Sequence, residues 1–304
     1  MDKHPPGVGH TVRARLVKLA RERSEDIQLL LTRYANERFL YRLANSEHGR
    51  QFVLKGAALF TVWTGHPHRA TRDLDLLGFG ELDEARVRDV FTEVLTLDVE
   101  DDGIHFDLNS LAVAPIRDQQ EYGGIRVEVV ARMTTARLHL QIDVGFGDAI
   151  TPEASVVEFP PLLNFPAPRL RAYPRETVIA EKLEAMAQLG IANSRMKDFY
   201  DIAVLARDYD FESNLLARAI RATFERRKTP LSGTLPVALT PVFAADSAKR
   251  SQWSGFVRKA GVRDASDLGS TIAKLASFLE FPLTLATTGA SSSLHWHAGG
   301  PWRT

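Results

Sequence analysis

Apolar residues recur every three to four positions over residues 10–46, the spacing of two successive helices. Leu16, Leu19 and Ala20 share one face of the first. Ile27, Leu30, Leu31 and Tyr34 share one face of the second, and Phe39, Leu40 and Leu43 continue the stripe. Ser24 is placed to cap the second helix. Residues 1–9, with Pro5, Pro6 and two glycines, read as a lead-in. The pattern changes at residue 51. Phe52-Val53-Leu54 predicts a short strand, Gly56 opens one or two helical turns, and Thr64 to Arg72 is a polar loop. A short strand at 73–77 and a helix near 82–95 follow. Residues 124–132 and 136–146 alternate apolar with polar across a three-residue gap, which predicts an antiparallel hairpin. The prolines between 152 and 174 mark a linker or edge segment. Helical periodicity then covers 175–189, 195–208, 213–227, 247–259 and 266–280. Residues 286–304, rich in Ser, Gly and Thr, read as loose apart from their tryptophans.

The fold class is therefore α+β, with an α/β half followed by a helical half. The expected domains are N-terminal helices at 1–50, an α/β domain at 51–160, a helical domain at 170–285 and a tail at 286–304. Of the 304 residues 44% are apolar and 25% charged, which excludes a disordered chain, a collagen-like chain and a small disulfide scaffold. Lys plus Arg and Asp plus Glu are both 38, so a globally basic nucleic-acid binder is disfavoured and only local basic patches remain. Cysteine is absent, which removes disulfides, thiolate zinc sites and Cys nucleophiles together. The N-terminus has no signal-like apolar stretch, and no run approaches the ~18 apolar residues of a membrane span. A cytoplasmic chain without a membrane partner is expected.

Asp73-Leu74-Asp75 is the feature with chemical content. On a strand the two carboxylates point one way and the leucines the other. Like charges on one face call for a cation or an exposed edge. Two divalent ions in such a site clamp the attacking and leaving oxygens of a phosphoryl or nucleotidyl transfer. Alone, Asp-x-Asp more often marks an ordinary strand end. Asp143 adds to it, because Leu140, Ile142 and Val144 share one face of their strand and leave Asp143 on the other. Were that strand to lie beside 73–77, three carboxylates would converge. Lys55-Gly56-Ala57-Ala58 before a helical turn offers backbone N–H groups as a seat for a triphosphate, though the same pattern serves close packing.

This order of pieces resembles the nucleotidyltransferase fold of the polymerase β type. More specifically, FVLKGAALFTVWTGHPHRATRDLDLLGFG resembles the AbiEii/AbiGii-type toxin family, through Lys55, Gly56, Arg69, Thr71, Asp73 and Asp75. The resemblance runs over about residues 50–208. It implies a small mixed sheet carrying Asp73, Asp75 and Asp143 as metal ligands and catalytic groups, followed by a helical domain. It further implies nucleotide contacts from Lys55, Gly56, Ala57, Arg69, Thr71 and Lys182. Ala57 stands where many nucleotidyltransferases carry a serine, and so offers only its backbone.

In the helical half, Lys182 lies four residues from both Val178 and Met186 and so borders the apolar stripe. The resemblance assigns it to the nucleotide phosphates; a snorkelling lysine is the alternative. Asp198 also borders a buried face, with Arg195 or Lys197 as partners. It is the functional candidate and Asp201 the helix-orienting one, against a salt bridge to Lys182 for either. The loop histidines His66 and His68 and the tail pair His295 and His297 carry no metal-ligand pattern. Two basic stretches, Arg13 to Arg23 and Arg221 to Lys228, are ordinary solvated faces unless the substrate is RNA.

The resemblance implies a toxin of a toxin–antitoxin pair, with phage defence or growth arrest as outcome and an antitoxin as partner. The expected reaction moves NMP from an NTP to an acceptor in a cleft between the halves. It depends on Mg²⁺ (Mn²⁺ substituting), and the leading acceptor is the 3′ end of tRNA. The rival readings are a small-molecule or protein acceptor, and a catalytically inactive nucleotide-binding module.

Overall fold

A computed structural model of the chain describes residues 7–81, 83–116, 123–262 and 264–304. It separates into two compact units, one of residues up to Gly147 plus Ser155–Ala172, the other of Asp148–Ala154 plus Tyr173–Thr304. Of the expected lead-in, residues 1–6 lie outside the described residues.

The first unit opens with α1 (Val8–Arg23) and α2 (Ile27–Asn45). Val12, Leu16 and Ala20 of α1 are buried. Ser24 does not cap α2. It ends α1 with φ 52°, and Asp26 caps α2 by accepting from the Leu29 N–H at 2.8 Å. The carboxylate two residues on is the better acceptor for an orphan helix N–H.

Next come β1 (Phe52–Lys55), a 3₁₀ turn at Gly56–Ala58, α3 (Leu59–Thr64), β2 (Leu74–Gly78) and α4 (Glu84–Leu95). Then follow β3 (His105–Pro115), β4 (Gly124–Met133), β5 (Ala136–Phe146), β6 (Ser155–Glu158) and β7 (Arg169–Ala172). Among the described residues these strands form one mixed sheet in the order β3-β4-β5-β2-β1-β7-β6. β2 is central, parallel to β5 and antiparallel to β1. The Pro-rich segment supplies the β6–β7 edge. Leu54, Leu74, Leu76, Ile142 and Val144 are buried, which fixes one sheet face as core and leaves the other for polar residues.

α2 also buries a charged pair. Glu37 and Arg38 have side-chain exposures of 0% and 1%, with Arg38 Nη2 3.0 Å from Glu37 Oε1. The Leu162 N–H donates to Glu37 Oε2 at 2.7 Å. Burial nevertheless pushes the Glu37 carboxyl up to about 7 against the pull of Arg38. The folded state then holds a proton that the unfolded chain releases near pH 4.5, so stability falls as pH rises from about 4.5 to about 7. Glu37→Gln is expected to flatten that slope. Chemical denaturation at pH 5 and pH 8 measures it, and identical slopes in both proteins would refute it.

The second unit contains α5 (Arg175–Leu189), α6 (Met196–Asp208), β8 (Phe211–Glu212) and α7 (Ser213–Arg226). After these come α8 (Pro241–Ala245), α9 (Ser247–Ala260), α10 (Leu268–Thr288), β9 (His295–Trp296) and β10 (Trp302–Arg303). α10 runs through Pro282 and eight residues beyond the expected end. The last residues, expected to be loose, form β9 and β10, with β9 paired to β8 on one side and to β10 on the other. Trp296 Nε1 donates to the Ala206 carbonyl at 2.7 Å, and Trp302 stacks on Phe278 with centroids 5.8 Å apart. Indole anchors, rather than segment composition, decide the order of this tail. No helix of the described residues is long and apolar enough to cross a membrane.

Candidate active site

Register places a row of four charges across the polar face of the first unit's sheet. Lys55 on β1 is opposite Asp75 on β2. Asp75 is level with Asp143 on β5, and Asp143 is opposite Arg126 on β4. The row reads cation, carboxylate, carboxylate, cation. The two central carboxylates occupy neighbouring strands, ≈ 4.7–4.9 Å apart in a sheet, where like charges repel. The flanking cations offset that repulsion.

Arg126 is the residue that pattern reading missed. Its Nε donates to Asp143 Oδ1 and its Nη2 to Asp143 Oδ2, both at 2.8 Å, a two-pronged clasp. The bond to Asp143 holds its guanidinium above the ordinary arginine value, and the charge of Asp73 adds to the effect. Asp73 stands just before β2 and is exposed. Thus Asp75 and Asp143 are neighbours, and Asp73 lies within the field of Arg126. Among the described residues, however, no three Asp, Glu or His side chains gather closely enough to hold a metal ion. In chemistry the donors fit a hard divalent cation, since all are carboxylate oxygens. Asp143, with both oxygens accepting from Arg126, meets such a cation only after that clasp loosens.

Gly56 sets the position of Asp75. Its φ is +73°, a left-handed conformation at which a side chain is strained. A Cβ there would stand 1.9 Å from Asp75 Oδ2 and 2.8 Å from Asp75 Cβ. The bare backbone turn is therefore what lets the carboxylate lie against β1's end. Ala57 and Ala58 are buried. Arg69 is half-buried in the loop before β2. Thr71 and Asp73 line a cavity of about 50 Å³ together with Arg23, Arg33 and Asn36. His68 stacks on Phe60 with centroids 3.5 Å apart, a packing role for that loop histidine.

The second unit holds the remaining candidates in one buried network. Lys182 Nζ donates to Asp198 Oδ1 at 2.6 Å and to Asp201 Oδ2 at 2.8 Å. Arg195 Nε donates to Asp198 Oδ2 at 2.6 Å. Side-chain exposures are 13% for Lys182, 1% for Asp198 and 0% for Asp201. The salt bridge weighed against a functional role is thus formed, and by both aspartates at once. Burial pulls Lys182 down, but Asp198 and Asp201 outweigh it and hold the ammonium above its ordinary value. Burial likewise pushes Asp198 up, and Lys182 and Arg195 outweigh it, leaving its carboxyl below the usual range. A second network, unforeseen, joins Arg227 to Asp148 at 2.9 Å and to Glu184 at 2.8 Å. Arg227 belongs to the second basic stretch, so part of that stretch is neutralised inside the unit.

Comparison with known proteins bears on this geometry. The family described as "Nucleotidyl transferase AbiEii toxin, Type IV TA system" matches residues 38–273. Two Helicobacter pylori crystal structures resemble the fold. One is JHP933, at 18% identity and TM-score 0.50, covering 85% of this chain and 90% of that one. The other is a "putative nucleotidyltransferase" at 17% identity and TM-score 0.52, covering 87% of this chain and 99% of that one. No curated protein matches the chain significantly.

Proposed function

The chain belongs to the AbiEii nucleotidyltransferase toxin family of type IV toxin–antitoxin systems, and from that premise we propose that it transfers NMP from an NTP to the 3′ hydroxyl of tRNA. The observation that carries the reading is the Lys55–Asp75–Asp143–Arg126 row beside Asp73. The acceptor oxygen bonds to the α-phosphorus, the bond to the bridging oxygen breaks, and pyrophosphate leaves. Mg²⁺ (or Mn²⁺), when bound by Asp73, Asp75 and Asp143, supplies charge neutralisation and activation of the hydroxyl.

The chain's own residues do the rest. The Gly56–Ala57 turn and Lys55 seat the triphosphate, with Arg69 and Thr71 beside it. Once the Arg126 clasp loosens, Asp143 takes up the proton of the attacking hydroxyl. On the family resemblance Lys182 is assigned to the nucleotide phosphates, where its charge offsets charge that develops on them, and Asp198 is kept as a catalytic candidate. Blocked tRNA 3′ ends halt translation, which fits a toxin held in check by an antitoxin in the cytoplasm and released in phage defence.

Label transfer tests the acceptor and the nucleotide together. Purified protein with Mg²⁺ and total tRNA is given each α-³²P-labelled NTP in turn. Label is expected on tRNA from at least one NTP. Label on protein or on a small molecule, with none on tRNA, would replace the tRNA assignment with that acceptor.

A further inference from the structure

Three buried side chains of α2 reach out to the main chain of three different loops. Tyr34 Oη donates to the Asp102 carbonyl, Arg38 Nη2 to the Pro166 carbonyl and Asn36 Nδ2 to the Arg72 carbonyl, each at 2.8 Å. The Asn36 bond differs from the others in where it ends. Arg72 is the residue immediately before Asp73.

Asp73 stands outside the strand ladders. β2 starts its pairing with β5 at Leu74, opposite Ile142, and its pairing with β1 at Asp75, opposite Lys55. Register therefore fixes Asp75 and Asp143, while Asp73 has to be held in another way. The Arg72 carbonyl lies in the same peptide plane as the nitrogen and Cα of Asp73. A donor on that oxygen restrains the tilt of the plane, and with it the direction in which Cα presents the Asp73 side chain. Asn36 and Asp73 also line the same cavity.

As a contribution to stability alone, asparagine is a poor residue for this position. Asn36 is 7% exposed and sits in the interior of α2, where Asn ranks well below Leu or Ala as a helix former. Its Oδ1 is buried and has no hydrogen-bond partner among the described residues, which destabilises the fold. Turning the amide over would set Oδ1 against the Arg72 carbonyl, acceptor against acceptor. Arg72 is exposed, so its carbonyl finds water without the amide. What the amide adds is a fixed direction.

We propose that Asn36 is a positioning residue for Asp73, and that its amide sets the peptide from which this carboxylate reaches a divalent cation. The proposal rests on the reading of Asp73 as a metal ligand. Asn36 lies just outside residues 38–273, so the family match assigns it no role. Groups that orient a metal ligand without touching the metal change metal affinity or activity by about 10- to 100-fold when removed.

The test uses Mn²⁺ as the probe. Its binding to the full chain is followed by electron paramagnetic resonance, which needs neither NTP nor turnover. Asn36→Leu removes the donor and keeps the branched shape; Asn36→Ala removes the donor and empties the position. Tyr34→Phe is the control, since it removes the α2 bond to a different loop. Both Asn36 variants should fold, by circular dichroism and Tm, and bind Mn²⁺ about 10- to 100-fold more weakly. Tyr34→Phe should bind it as the wild type does. In an Asp73→Ala background Asn36→Leu should produce no further weakening, because it acts through Asp73. In label transfer the Asn36 variants should need more Mg²⁺ for half-maximal rate, with KM for tRNA unchanged. Wild-type Mn²⁺ affinity in a folded Asn36 variant would overturn the proposal. So would equal weakening with and without Asp73, or failure of both Asn36 variants to fold, either of which would make the residue structural only. An Asp73→Ala protein that binds Mn²⁺ as the wild type does would remove the metal from Asp73 and overturn the proposal with it. A wild type that binds Mn²⁺ through Asp73 but transfers no label would refute the proposed reaction and leave the role of Asn36 standing.

Discussion

Replacing Gly56 by alanine is expected to lower the rate of NMP transfer about 100-fold and to destabilise the first unit by about 2–5 kcal/mol. The reason is geometric. The residue sits at φ +73°, which costs an L side chain about 1–2 kcal/mol. Its new methyl group would also overlap Asp75, with Oδ2 at 1.9 Å, Cγ at 2.6 Å and Cβ at 2.8 Å. Since Asp75 Cβ is itself too close, turning the carboxylate aside does not relieve the clash, and β2 has to shift. Overpacking of that kind costs about 1–3 kcal/mol. A displacement of about 1 Å at a reacting centre costs about 10²-fold in rate. Thermal melting and label transfer on the same preparation measure both effects. A Gly56→Ala protein with wild-type Tm and rate would show that Asp75 is not held by this turn.

Removing the charge of Lys182 should act first on stability. In Lys182→Met, Asp198 and Asp201 stay buried and lose the ammonium that bonds both, while Arg195 remains on Asp198. Breaking a buried ion pair from one side costs about 3–5 kcal/mol. At the heat-stability scaling of a unit this size, that is a fall of about 10 °C in Tm. The pH dependence follows from the directions of the shifts. Asp198 lies below its ordinary pKa, so its contribution is present at neutral pH and is lost as pH falls through its folded value. Lys182 lies above its own, so its contribution is lost only as pH rises past that value. Stability from this network is therefore flat through neutral pH in the wild type. Lys182→Arg keeps the charge and should recover most of the stability. If Lys182 also serves the phosphates, Lys182→Arg stays folded and transfers slowly. If its role is the salt bridge alone, the rate returns with the fold.

The sequence exposed the acidic residues more readily than their surroundings. Asp75 and Asp143 could be placed on polar strand faces because Leu74, Leu76, Ile142 and Val144 mark the opposite faces. Their pairing side by side came from β2 and β5 lying in parallel, a non-local fact that no local pattern carries. Arg126 was within reach. A turn at Thr134–Thr135, with Thr134 at φ 53°, pairs Met133 with Ala136 and so carries Arg126 to Asp143. A three-residue gap leaves that register unset. β3 escaped because its ladder is irregular between Asp107 and Ala112, which breaks the alternation. Glu37 and Arg38 escaped because a pattern reading sends charged residues to the surface, while here they lie buried 3.0 Å apart. α10 passed through Pro282 because its apolar residues remain buried on both sides of the proline, so packing overrides the local break.

The central claim is that the paired carboxylates on the sheet face are the chemical centre of a nucleotidyl transfer. Asp75→Asn tests it most directly, because it removes one charge from the row and almost no volume. The measurement is transfer of label from α-³²P-NTP to tRNA, with Tm recorded on the same sample. We predict a folded protein with about 10²–10³-fold less transfer, the scale expected when a group that stabilises developing charge is lost. A folded Asp75→Asn protein that transfers label at the wild-type rate would contradict the account.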